Sequence, residues 1–138
     1  MGKQKDKLPQ FTPLLHQTSD CEAWLALTAY AKALYPFLKR RAGYGGKSNG
    51  AVTCSVREAA AYLGTHKDTA TKALQELQRK GFIVAVRIGC LGVNGEGKAT
   101  TWRLTELGTP ANPRPTKEFL AWSPDSEFPV AEGRRRAA

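Results

Sequence analysis

The hydrophobic pattern is sharpest between Ser55 and Ile83, in the stretch SVREAAAYLGTHKDTATKALQELQRKGFI. Ala59, Ala60 and Leu63 form one apolar set, and Ala70, Ala73, Leu74 and Leu77 form a second, both at helical spacing. Ser55 and Glu58 occupy the two ends of a capping box, in which hydroxyl and carboxylate satisfy each other's orphan backbone donors. Gly64 ends the first helix, because glycine enters the left-handed conformation at little cost. Thr65 or His66 caps the second helix, which starts at Lys67 or Asp68 and stops before Gly81. Alanine at 60 and 70 lets two short helices cross steeply over a tight turn.

The flanking patterns extend this unit. Upstream, Trp24, Leu27, Ala31, Leu34 and Leu38 step by three and four, which predicts a helix over Ser19–Ala42. Ser19 and Glu22 form a second capping-box pattern, and Pro36 is expected to kink or split the helix near Tyr35. The stripe reads as core, with a dimer seam as the alternative. Downstream, Phe82–Ile88 is rich in branched apolar residues and reads as a strand. Gly89–Lys98 is a glycine-rich turn and Ala99–Thr105 the return strand, with Trp102 and Leu104 facing the helices. Ala51–Cys54 supplies a short third strand. The expected fold is α+β and mostly helical, with a two- or three-stranded sheet. Residues 1–18 read as a flexible basic arm, 19–105 as the domain and 106–138 as a proline-rich tail. Within the tail, PTKEFLAW at 115–122 carries Phe119, Leu120 and Trp122 as apolar anchors. It is expected to dock back on the domain, with capture of a partner as the alternative.

Composition narrows the function. A chain of 138 residues with 41% hydrophobic residues buries a modest core, and its net charge is +9. Residues 39–103 alone hold twelve Lys or Arg against four Asp or Glu, so the excess lies over the paired helices and points to a polyanion. Cys21, Cys54 and Cys90 match no zinc spacing and read as reduced, buried thiols. No apolar run has membrane-span length and no secretory signal is evident, so a cytoplasmic protein is expected. GKS at 46–48 lacks the glycine, strand and long helix of a phosphate-binding loop, since Arg41 stands where that glycine is needed. The two histidines, His16 and His66, sit in the arm and at a helix cap. No nucleophile, carboxylate pair or metal set stands at a working spacing, so the chain reads as a binding module. No catalysis, cofactor, metal, membrane or small-molecule substrate is expected.

With the apolar positions turned inward, the second helix exposes Lys67, Asp68, Thr71, Lys72 and Gln75. SVREAAAYLG, THKDTATKALQEL, KGFIV and ATTWRLT together resemble winged helix-turn-helix DNA-binding proteins, especially small proteins of bacterial phages, plasmids and mobile elements. The likeness spans about residues 20–122 and includes PTKEFLAW. It implies a recognition helix at 67–80 in the major groove of double-stranded DNA and a wing at 84–105 on the backbone or minor groove. Lys67 and Lys72 are then expected on phosphates or guanine edges, and Thr71 and Gln75 on base edges. Ser55, Thr69, Lys98 and Arg103 are expected to position the backbone. His66 and Asp68 lie at the cap, where Asp68 caps, accepts from cytosine or excludes wrong sequences. The resemblance implies a transcriptional regulator. The alternatives are a replication-initiation or maintenance factor of a plasmid or phage and, from another class, a protein-interaction adaptor. Many relatives act as homodimers on palindromes, which makes a second copy a further candidate partner.

Overall fold

A computed structural model describes residues 8–89 and 99–131. Five helices, α1 His16–Ser19, α2 Glu22–Leu25, α3 Ala29–Ala42, α4 Val56–Leu63 and α5 Lys67–Arg79, pack on one small antiparallel sheet. Its strands are β1 Val52–Thr53, β2 Ile83–Arg87 and β3 Thr101–Leu104, in the order β1-β3-β2. Val52 pairs with Trp102, and Ile83 pairs with Leu104, so the long strands form a hairpin with β1 on its far side. Single 3-10 turns lie at Tyr44–Gly46 and Glu118–Ala121. The core is centred on Trp24, Tyr35 and Phe82, whose rings meet edge to face at 5.6–5.7 Å between centroids.

The α4–turn–α5 unit follows directly from its sequence. Ser55 Oγ accepts from the Glu58 amide at 3.0 Å, and Glu58 Oε1 accepts from the Ser55 amide at 3.2 Å. Arg41 donates to the other carboxylate oxygen at 2.7 Å, and this bond, followed by the Ser55 amide, holds the Glu58 carboxyl down at about 2. Gly64 adopts φ 66°, ψ 39°, the left-handed cap that lets Thr65 donate back to Ala60. His66 caps α5 through Nδ1, which accepts from the Asp68 amide at 3.2 Å. Ser55→Ala should cost about 1 kcal/mol, because the Glu58 amide loses its acceptor. A urea melt should show the shift, and an unchanged midpoint would contradict the role given to this cap.

The N-terminal third departs from the single helix expected over Ser19–Ala42. The chain forms three pieces, and the long helix begins only at Ala29. Thr28 is the cause: its hydroxyl accepts from the Ala31 amide and caps α3, which competes with helix continuation. The Ser19–Glu22 box does not form, since Ser19 closes α1 and Cys21 precedes α2 without a side-chain cap. Pro36 lies inside α3 without ending it. Breaking the chain at 26–28 lets both Trp24 and Leu27 turn inward beside Ala31, Leu34 and Leu38. This stripe is buried within the chain itself, which removes it as a dimer seam. Within the expected arm, residues 8–15 form no helix or strand, while Thr18 is buried and Lys39 donates to the Pro13 carbonyl at 2.7 Å.

Residues 106–131 run back over this body. Glu106 is buried after β3 and is held by Thr18, by Tyr35 at 2.7 Å and by Lys39 at 2.9 Å. Burial, and then the neighbouring Glu106 carboxylate, push the Tyr35 phenol well above its ordinary pKa. Phe119 stacks on Phe82 at 4.9 Å, and Trp122 is buried beside Lys80. Beyond it, Phe128 donates its amide to the Arg79 carbonyl, Ala131 to Gln78 Oε1, and Glu127 pairs with Lys80. The segment thus fastens the C-terminal end of α5.

Candidate nucleic-acid interface

The face of α5 is set by what its other face buries. Ala70, Ala73, Leu74, Leu77 and Gln78 turn inward. Asp68, Lys72, Gln75 and Arg79 step by four, three and four along the opposite side, and Thr71 lies beside them. Lys67 and Lys72 are exposed, while Thr69, Thr71 and Gln75 are half-buried. Among the described residues no carboxylate pairs with Lys67, Lys72 or Arg57. Residues 117–131 touch α5 only near its end, at Gln78, Arg79 and Lys80, and leave the 67–75 face uncovered.

Other expected positions sit differently. Ser55 is exposed at the start of α4, its oxygen already accepting from Glu58. His66 is spent as a cap, with the Asp68 carboxylate 3.6 Å from Nδ1. Arg103, expected on a phosphate, points from β3 to the returning segment, donating to Thr116 at 2.8 Å and to Glu118 at 2.9 Å. Thr116 and Arg103 in turn hold the Glu118 carboxyl below its usual range against the opposing effect of burial. Lys98 and Cys90 lie outside the described residues. Of the other thiols, both free, burial lifts Cys54 to about 11.

The charge excess is also redistributed. Lys39, Arg41, Lys80 and Arg103 are consumed by internal carboxylates. Arg40, Lys47, Arg57, Lys67, Lys72, Arg79 and Arg87 remain without a carboxylate partner among the described residues. Three of these are cations that the spacing alone did not single out. Arg57 is exposed in the first turn of α4, and Arg87 lies at the end of β2, donating to the Ala99 carbonyl. Arg79 continues the α5 stripe, a position the step from Gln75 could have indicated. The described residues contain no cluster of His, Cys, Asp and Glu suited to a metal ion. No helix among them is long and apolar enough to cross a membrane.

Comparison with known proteins agrees with this geometry. Neither the curated proteins nor the solved structures contain a match to the chain. Residues 25–83 match a family model described as a helix-turn-helix domain. That match runs from the end of α2 to the first residue of β2 and contains α3, β1, α4 and α5. With β2 and β3 completing a three-stranded antiparallel sheet beside those helices, the chain carries a winged helix-turn-helix DNA-binding domain.

Proposed function

We propose that the protein binds double-stranded DNA with sequence selectivity and acts as a transcriptional regulator. The observation that carries this reading is the stripe Asp68, Thr71, Lys72 and Gln75 on α5, continued by Arg79, which turns away from the helix's buried side and at 68–75 makes no hydrogen bond or ion pair with the returning segment among the described residues. A helix entering a major groove needs such a face, with short polar side chains that reach base edges and cations beside them for phosphate. Thr71 and Gln75 read bases, with adenine the natural partner of the glutamine amide. Lys67, Lys72 and Arg79 contact phosphate or guanine. Arg57 and Ser55 at the start of α4, with Thr69, fix the register on the backbone. Arg103 is left out of this set, because Glu118 and Thr116 already use its donors.

The test is a binding titration against selected duplex fragments at several salt concentrations. Gln75→Ala should lose about 1–3 kcal/mol on the preferred site and little on random duplex. Lys72→Ala should weaken all duplexes together and reduce the salt slope by about one unit. If both variants match the wild type, the α5 face is not the reading surface.

A further inference from the structure

Loop 43–50 holds a tyrosine in solvent with unusual firmness. Tyr44 is 95% exposed, more than any other large hydrophobic side chain among the described residues. A side chain that free usually belongs to a loosely held loop, yet this loop is anchored on both sides. The buried Asn49 amide donates to the carbonyls of Leu104, Leu107 and Gly108, and its oxygen accepts from the Leu104 amide at 2.7 Å. Gly46, at φ +80°, sits so close to the next segment that a Cβ there would lie 2.3 Å from the Gly108 carbonyl oxygen. The backbone is therefore fixed, and the ring it carries has no place to bury.

The two segments that meet here carry an excess of cations. This end of the molecule is built from residues 40–50 and 107–117, which contain Arg40, Arg41, Lys47, Arg114 and Lys117 and no Asp or Glu. Arg41 is paired with Glu58 and Lys117 with Gln17, which leaves Arg40, Lys47 and Arg114, all exposed. The Lys47 stem lies along Gly43, next to the tyrosine. The far part of the loop lies away from the start of α4, whereas Arg41, just before it, reaches back to the Thr53 carbonyl and to Glu58. Thr53 and Thr101 pair at the end where β2 finishes and β3 begins, beside the start of α4, whereas Asn49 and Gly46 contact residues 104–108 past the other end of β3.

We propose that this end is a second nucleic-acid surface, one that takes a single strand while the duplex occupies α5. Tyr44 supplies a platform on which an unpaired base stacks, and Arg40, Lys47 and Arg114 hold the flanking phosphates. Base stacking on an aromatic ring is tolerant of sequence, and cations around it give affinity that falls with salt. The surface does not depend on the assignment of α5 as a reading helix, because none of its residues lies on that helix.

The experiment uses the full chain, a labelled oligothymidylate and a mixed-sequence duplex, followed by fluorescence anisotropy at low salt. Wild type should bind the oligothymidylate, and should still bind it when saturated with unlabelled duplex. Tyr44→Ala should weaken oligothymidylate binding about tenfold or more and leave duplex binding unchanged. Tyr44→Phe keeps the ring and should keep the affinity. Since Tyr44 is almost wholly exposed, its thermal midpoint serves as the folding control. Displacement of the oligothymidylate by duplex in a one-to-one manner would place both on α5 and overturn the proposal. An unchanged Tyr44→Ala would overturn it as well. Competition by polyglutamate as strong as by unlabelled oligothymidylate would assign the surface to acidic proteins instead, and would likewise overturn it. A failure of the Lys72→Ala and Gln75→Ala tests would leave these results standing.

Discussion

Glu106→Gln is expected to lower the stability of the chain by about 3–5 kcal/mol, a large share of the total for a domain of this size. The change keeps the volume and removes one charge. It leaves the Lys39 ammonium with 6% exposure and no counter-charge beside it, its remaining acceptor being the Pro13 carbonyl. The carboxylate also accepts from Tyr35 and Thr18, so one side chain ties α1, α3 and the turn after β3 together. A buried ion is costly once its partner is gone, whereas removal of both charges is often tolerated. The double variant Lys39→Met, Glu106→Gln should therefore recover most of the loss. Urea unfolding followed by circular dichroism measures both. If the double variant were as unstable as the single one, the cost would come from the hydrogen bonds to Tyr35 and Thr18, not from the orphaned charge.

That network marks the limit of what the residues disclose in order. The α4–α5 unit was legible because its signals are local: Ser55 and Glu58 are three residues apart, and Gly64 acts on its own turn. The hairpin was legible for a similar reason, with Trp102 and Leu104 alternating along β3. The break at Thr28 was hidden because the apolar stripe runs through it. A capping threonine and a mid-helix threonine look alike until a tertiary contact, here the inward turn of Trp24, decides between them. Arg103 shows the same limit at the site. Its place in a basic hairpin suggested phosphate, but Glu118, fifteen residues on, takes the guanidinium, and no periodicity announces a partner at that distance. In sequence Lys39 is one of three successive cations near a helix end, and only the position of Glu106 makes it a buried ion. The polar face of α5 was visible in sequence because a helix with one apolar side must show its other side. Arg57 and Arg87 were less visible, since a single exposed arginine acquires meaning only from its position at the start of α4 or the end of β2.

Phe82→Ala should cost about 3–5 kcal/mol, as for other fully buried aromatic rings cut to a methyl group. Phe82 has 0% exposure and is the point where separate parts of the chain meet. Its ring is stacked by Phe119 at 4.9 Å from the returning segment, and met edge-on by Trp24 from α2 and Tyr35 from α3. Its carbonyl accepts from the Thr105 amide, so the backbone at this position is also shared with the end of β3. Deleting the ring removes the surface on which residues 118–122 rest, and that segment in turn holds Lys80 and the end of α5. The expected result is therefore a lower urea midpoint together with faster proteolysis between residues 106 and 131, ahead of global unfolding. Phe119→Ala should reproduce the proteolytic effect at a smaller thermodynamic cost, because it leaves the contacts of Phe82 with Trp24 and Tyr35 in place. Duplex affinity measured well below the unfolding midpoint should change little in Phe119→Ala, since Lys67–Gln75 do not touch the segment it loosens. A loss of duplex binding in that variant would show that the returning segment shapes the reading face as well as anchoring its far end.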